Sequence, residues 1–263
     1  MDAFQEQPIR RYREGRFESV RDAVVAEARI ELVVNADELR LAMLCLPREL
    51  PEMAVGFLRA EGALLQREDL DAAEFDPAAS AVHVRGRFDP DALEAIRRRW
   101  TWGTGCGRGG TSASLNPDAY RPVEEGLTVQ AGRVAELSRE FQKSVELWRQ
   151  TGGVHACALA TADGIEAAAE DVGRHNAFDK VIGKAFLAGI ETADKMILTT
   201  GRLSAEMVSK AVASRLPIVV GRGAVTGLAI DLARRFGITL IGFARAGRFN
   251  VYTGFQRVLS GPC

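Results

Sequence analysis

The sequence predicts an α/β protein, a parallel or mixed sheet sandwiched by helices, with a smaller N-terminal α+β subdomain. Three observations lead there. From about residue 150 onward, short apolar runs alternate with helical stretches, the pattern of strands covered by helices. The helical stretches open on capping residue types, Asn176, Ser204 and Thr226. Ahead of them the rhythm differs, with a hairpin, two helices and a glycine-rich segment. The implied organisation is a flexible arm over 1–20, an α+β subdomain over 21–130 with a glycine-rich loop over 101–121, and a larger domain over 131–263.

Each element has a local reason. Residues 1–20 are charged and aperiodic, hence the arm. Ile30, Leu32 and Val34 alternate, Asn35-Ala36-Asp37 turns, and Leu39, Leu41 and Met43 alternate again, which predicts a hairpin over 28–46. A helix follows Pro51, its apolar stripe running through Met53, Val55, Phe57, Leu58 and Leu64. A short strand surrounds Val82 and Val84, and a helix opens at Asp89-Pro90 with Leu93, Ile96 and Trp100. From Thr101 to Arg121 periodicity vanishes and glycine dominates, in WGTGCGRGG; loops of this length are functional or disordered.

In the second half, Val134, Leu137, Phe141, Val145 and Trp148 fall at helical spacing, so a helix is expected over 133–150, ended by Gly152-Gly153. Asp163-Gly164 turns a hairpin between VHACALAT and IEAAAEDV. A helix is expected from Asn176, with Asp179 completing its cap. Strands over 196–200 and 217–220 lead to helices capped by Ser204 and Thr226, and 238–244 makes the last strand.

Composition excludes several classes. With 263 residues the chain can bury a full core, and 47% apolar with 26% charged residues is ordinary for a globular protein. A net charge of -1 argues against non-specific nucleic-acid binding. No stretch reaches the roughly 18 apolar residues of a membrane span, and the polar start carries no signal-peptide core, so a cytoplasmic protein is expected. Cys45, Cys106, Cys157 and Cys263 are far apart, which fits a reducing compartment, and with His83, His155 and His175 they form no zinc motif.

Four Gly-Arg pairs close strand-like runs: Gly173-Arg174, Gly201-Arg202, Gly221-Arg222 and Gly247-Arg248. If these end neighbouring parallel strands, four guanidinium groups converge on one crevice, glycine lets backbone approach a ligand, and arginine forks onto phosphate. Three of the pairs also precede helix N-termini, whose N–H groups favour anions. The competing interpretation is four unrelated turns with solvated arginines. No loop matches a P-loop or G-x-G-x-x-G, which argues against ATP hydrolysis and NAD binding.

Cys106 is the cysteine in a setting that favours reactivity, with glycines on both sides and Arg108 able to stabilise a thiolate. Cys45 and Cys157 lie in apolar runs and are expected to be inert core residues. Glu170-Asp171 either serve as acid and base, or bind a base or ribose, or form a strand-end pair held by Arg174 or a capping amide. His175 is either a structural imidazole or a phosphate contact.

EDVGRHNAFDKVIG, TTGRLSAEMVSKA and IGFARAGRFNVYTG closely resemble three signature blocks of the FdhD formate dehydrogenase accessory proteins, and LPRELPEMAVGFLRAEGAL resembles a fourth. The resemblance implies a cytidine deaminase-like fold without zinc, and a homodimer. It further implies a sulfur carrier, one that takes sulfane sulfur from a cysteine desulfurase. That sulfur would pass to the molybdenum or tungsten bis(molybdopterin guanine dinucleotide) cofactor, for formate dehydrogenase.

The family's persulfide loop is a Cys-x-x-Cys; Cys106 matches the first cysteine, and Gly109 stands where the second would be. A lone thiol must rely on the acceptor to remove its sulfur, since it cannot release it by closing a disulfide. The family's cofactor segment matches Phe243, Ala244, Arg245, Ala246, Gly247 and Arg248. Gly173, Arg174, His175, Asn176, Gly201, Arg202, Ser204, Arg222 and Asn250 are the further expected cofactor contacts, and GDP the expected fragment ligand.

Overall fold

The chain begins with a ribbon in place of the expected flexible arm. In the computed structural model, which describes residues 2–98, 121–123 and 126–261, β1 (Phe4–Arg13) pairs antiparallel with β2 (Arg16–Val25) along its whole length. Glu14 and Gly15 turn the ribbon with φ of 50° and 85°, the positive pair whose twist suits a two-residue hairpin. Charges on both faces hide the alternation in the sequence. In the fold they pair across the strands, with Arg11 Nη2 3.0 Å from Asp22 Oδ1, while Tyr12 packs on Phe17.

The N-terminal subdomain is built as expected, with one added strand. β3 (Ala28–Val34) and β4 (Leu39–Cys45) form the hairpin around Asn35, whose amide donates to Gly86 O at 2.8 Å and accepts from Gly86 N at 3.0 Å. After α1 (Leu50–Ala60) come β5 (Leu70–Asp76), β6 (Ala81–Gly86) and α2 (Pro90–Arg97), the last capped by Asp89. The sheet order is β4-β3-β6-β5. The sequence reading misses β5 because its acidic residues face water on an edge strand. Ile30, Leu32, Val34, Val82 and Val84 pack beneath Met53, Leu58, Leu93 and Ile96.

The larger unit starts at β7 (Val129–Gln130) and α3 (Ala131–Ser144), followed by α4 (Glu146–Thr151). Val145, at φ -80° and ψ 90°, leaves the helical region and splits the single helix expected over 133–150. β8 (His155–Ala160) and β9 (Ile165–Asp171) form the Asp163-Gly164 hairpin, and α5 (Arg174–Leu187) follows. β10 (Met196–Thr199), α6 (Ala205–Ala213), β11 (Ile218–Gly221), α7 (Gly227–Arg235) and β12 (Thr239–Arg245) then alternate as predicted. β12 is not the last strand. β13 (Arg248–Thr253) turns back against it, and β14 (Val258–Leu259) pairs with β7.

The main sheet has the order β13-β12-β11-β10-β8-β9. Cys157, Leu159, Ile197, Val219 and Leu240 face α5, α6 and α7, whereas Ala158, Leu198, Val220 and Ile241 face Val134, Leu137 and Phe141 of α3. Helices therefore cover both faces of a mixed sheet, the predicted fold class. Among the described residues no helix is long and apolar enough to cross a membrane.

Two helices join the units. Gly56 of α1 lies against the backbone of Asp179, and Gly183 of α5 against that of Glu52, so closely that a Cβ at either position would collide with main-chain atoms. Beside this crossing the fully buried Lys180 and Asp171 pair at 2.7 Å. Asp171 also accepts from Leu46 N at 3.0 Å, tying the main sheet to the end of β4.

Candidate functional site

Strand direction decides whether the Gly-Arg pairs meet. β9 runs antiparallel to β8, β8 antiparallel to β10, and β11 and β12 follow β10 in parallel. The carboxyl ends of β9, β10, β11 and β12 thus share one edge of the sheet, and a Gly-Arg pair follows each. The condition that all four strands be neighbours is not met, since β9 is separated from β10. β8 runs the opposite way between β9 and β10, and its first residue, His155, joins the same edge.

At β9 the pair opens α5. Gly173 is the N-cap and Arg174 the first helical residue, so Asn176 does not cap the helix. Its amide donates to Asp171 Oδ1 at 3.0 Å and Leu44 O at 2.8 Å, and Asp179, its expected capping partner, instead takes a bidentate bond from Lys210 at 2.6 and 2.7 Å. Arg174 lies across Gly201, where a Cβ would come within 3.2 Å of Arg174 Cδ. Its Nη2 is 3.8 Å from Glu206 Oε2, and His175 Nε2 is 3.0 Å from the same oxygen. His175 is thus turned toward Glu206 of α6.

At β10, Gly201 is buried and Arg202 exposed. Ser204 occupies the N-cap of α6, yet its side chain makes no capping bond; Thr226 does cap α7, accepting from Ala229 N at 3.4 Å. At β11, Arg222 N donates to Thr199 O at 2.9 Å, and the guanidinium lies 5.5 Å from the centre of the Trp148 ring. The β10 and β11 loops touch, with Gly223 N donating to Gly201 O.

The fourth pair departs from the expected form. Gly247 lies in the turn between β12 and β13, with φ of 52° at Ala246 and 76° at Gly247, and Arg248 starts a strand. A register shift between Gly242 and Arg245 puts Phe243 at φ 54°, an uncommon value for a bulky residue. The bulge opens a pocket of about 250 Å³ lined by Phe243, Arg245, Arg248 and Asn250. Arg245 lies 5.8 Å from the Phe243 ring centre, while Ala244 is buried and its carbonyl accepts from Gln142.

Glu170 and Asp171 are structural. Glu170 accepts from Leu147 N at 3.1 Å and Trp148 N at 2.9 Å, holding the start of α4. Asp171 accepts from Leu46 N, Gly173 N and Asn176 and is paired with Lys180. The capping-amide alternative is the one the fold adopts.

Burial, with the charges of Arg174 and Arg202 next, lowers the pKa of His155 and keeps its imidazole neutral near pH 7. Thr200 Oγ1 lies 3.5 Å from its Nδ1. Burial likewise lowers His175, against the adjacent Glu206 carboxylate, which favours the protonated ring. Cys45 and Cys157 are buried, and desolvation pushes both thiols up to about 12, as expected of inert core residues. Cys106, Arg108 and Gly109 lie outside the described residues.

Sequence reasoning missed two residues of this edge. His155 appears there only as an absent zinc ligand, and Trp148 only as part of an apolar stripe; neither has a local signal, because only the sheet order brings them to the arginines. The assembled edge combines guanidiniums, glycines and helix N-termini, a set suited to an extended anion with several phosphates.

Comparison with known proteins agrees with the sequence blocks. The FdhD/NarQ family model matches residues 25–259. The sulfur carrier protein FdhD of Wolinella succinogenes is 38% identical over 92% of this chain and 84% of its own length. That of Listeria innocua is 33% identical over 98% of this chain and all of its own. A crystal structure described as a formate dehydrogenase accessory protein, from Desulfotalea psychrophila, superposes with a TM-score of 0.82 and 25% identity, covering 98% of this chain and 100% of that one. With signature blocks, fold and near full-length relatives in agreement, the chain belongs to the FdhD/NarQ family.

Proposed function

We propose that this protein is a sulfur carrier, moving persulfide sulfur from a cysteine desulfurase to the molybdenum or tungsten bis(molybdopterin guanine dinucleotide) cofactor that formate dehydrogenase requires. The observation that carries this reading is the shared carboxyl edge, where Arg174, Arg202 and Arg222 follow β9, β10 and β11 and the Phe243–Asn250 pocket flanks β12. The cargo has two pyrophosphates, and the guanidiniums and helix N-termini suit them. Sulfur carrier is also the name of the relatives aligned over nearly the whole chain.

In the proposed chemistry the Cys106 thiolate attacks the outer sulfur of the desulfurase persulfide. A new S–S bond forms on Cys106 as the donor's S–S bond breaks, and the desulfurase cysteine leaves as thiolate. Release of that sulfur as sulfide takes two electrons. With Gly109 in place of a second cysteine, they come from the acceptor or an external thiol. The protein acts as a homodimer in this reading, and GDP binds as a fragment of the cargo.

Gly109 also supports a second reading, a chaperone that binds the cofactor without covalent transfer. Mass spectrometry after anaerobic incubation with a cysteine desulfurase and cysteine separates the two. The carrier reading expects a one-sulfur adduct on Cys106 that Cys106→Ser abolishes. An unmodified Cys106 favours the chaperone.

A further inference from the structure

Trp148 and Arg222 are not explained by the fold. Trp148 is 38% exposed, and although part of its ring is covered it belongs to none of the core clusters among the described residues. Arg222, half-buried at the end of β11, makes no ion pair or side-chain hydrogen bond among the described residues; the contact it does make is with the Trp148 ring, 5.5 Å away. Glu170 of β9, which holds the start of α4, is not free to pair with it. Both oxygens of Glu170 are already engaged, by Leu147 N and Trp148 N.

The pair spans the edge. Arg222 leaves from the β10–β11 boundary, where its N–H bonds Thr199 O, and Trp148 stands on α4, anchored to β9 through Glu170. Between them in the sheet lie the ends of β10 and β8, with Thr200 and the neutral His155. Arg174 and Arg202 follow β9 and β10 on the same edge, so the platform and these cations share one side of the sheet.

We propose that Trp148 and Arg222 form a stacking platform for a fused bicyclic heterocycle of the cargo, a guanine or a pterin ring. The indole gives a flat apolar face, and the planar guanidinium stacks on aromatic rings while keeping its charge near phosphate. The helix-start bonds to Glu170 fix the ring before the ligand arrives, which lowers the ordering cost of binding. This deepens the proposed cofactor reading and rests on it.

Titration calorimetry with three probes, GDP, a 6-substituted pterin and inorganic pyrophosphate, tests the platform on the full chain. Stacking of one base contributes about 1–3 kcal/mol, so Trp148→Ala is expected to weaken ring-bearing probes by roughly 5- to 150-fold. Pyrophosphate affinity should stay within about twofold, because base stacking leaves phosphate contacts alone. Trp148→Phe should retain most ring affinity, and Arg222→Lys should lower it while sparing pyrophosphate. A loss with GDP alone assigns the ring as guanine, and a loss with the pterin alone assigns it as pterin. Equal ring affinity in Trp148→Ala and the parent overturns the platform, as does an equal loss of pyrophosphate. A parent that binds GDP but is insensitive to Trp148 leaves the cofactor reading standing; a parent that binds no probe removes both.

Discussion

Replacing Lys180 with methionine should destabilise the fold far more than any exposed charge change. Lys180 and Asp171 are each fully buried and 2.7 Å apart, at the junction between the subdomain and the main sheet. Methionine keeps most of the volume and removes the charge. Asp171 then remains buried with three neutral donors, Leu46 N, Gly173 N and the Asn176 amide. Stranding one partner of a buried ion pair costs about 3–5 kcal/mol, and the surviving donors place the expected loss near the lower end, at about 3–4 kcal/mol. At about 2–4 °C per kcal/mol for a chain of this size, the melting temperature should fall by roughly 10 °C. The comparison is Arg11→Met, whose pair with Asp22 has a similar distance, 3.0 Å, but is about half exposed. That change should cost no more than about 0.5 kcal/mol, because water screens the pair. Thermal unfolding followed by near-ultraviolet circular dichroism measures both. Equal, small shifts would refute the claim that burial of this pair, and not its mere presence, holds the two units together.

Gly183→Ala should destabilise by about 1–3 kcal/mol despite the better helix propensity of alanine, since its Cβ meets the Glu52 backbone; a denaturant midpoint at or above that of the parent would contradict the close crossing. Arg248→Ala should weaken GDP by about 1.5–3 kcal/mol in calorimetry, the range for a charge-assisted contact, and unchanged affinity would remove Arg248 from the site. His155 and His175 have pKa values lowered below 6.5 in the fold, so the unfolded chain binds more protons and stability falls as pH drops through 6.5. His155→Gln should flatten that fall in melting experiments between about pH 7 and pH 5, and an unchanged slope would refute it.

Much of the fold is legible because its signals are local. Alternation at Ile30, Leu32 and Val34, the Asp163-Gly164 turn and the Thr226 cap each act within a few residues, and each appears where the sequence puts it. The misses have longer-range causes. The first ribbon carries charge on both faces, so no inward side exists to reveal a strand. β13 is concealed by the bulge at Phe243, which breaks the alternation that would announce a hairpin. Asn176 has the chemistry of a helix cap but serves Leu44 and Asp171, and no local rule foretells a partner 132 residues away.

The candidate site divides in the same way. Gly-Arg pairs were visible one by one, and strand-helix alternation accounts for the common edge of β10, β11 and β12. The place of β8, which brings His155 between Asp171 and Thr200, depends on sheet order that the chain does not spell out locally. Within the EDVGRHN block several residues carry scaffold bonds: Glu170 holds α4, while Asp171 and Asn176 bond Leu46 and Leu44 of the N-terminal subdomain. Repetition of a motif marked the edge; the chemistry of single residues did not separate scaffold from site.

The central claim is that sulfur passes through Cys106 to a cofactor held at the arginine edge. Formate dehydrogenase activity in a strain lacking this protein, complemented with the parent or with Cys106→Ser at equal protein levels, tests it most directly. The account predicts activity with the parent and none with Cys106→Ser. Full activity with the serine variant would contradict it.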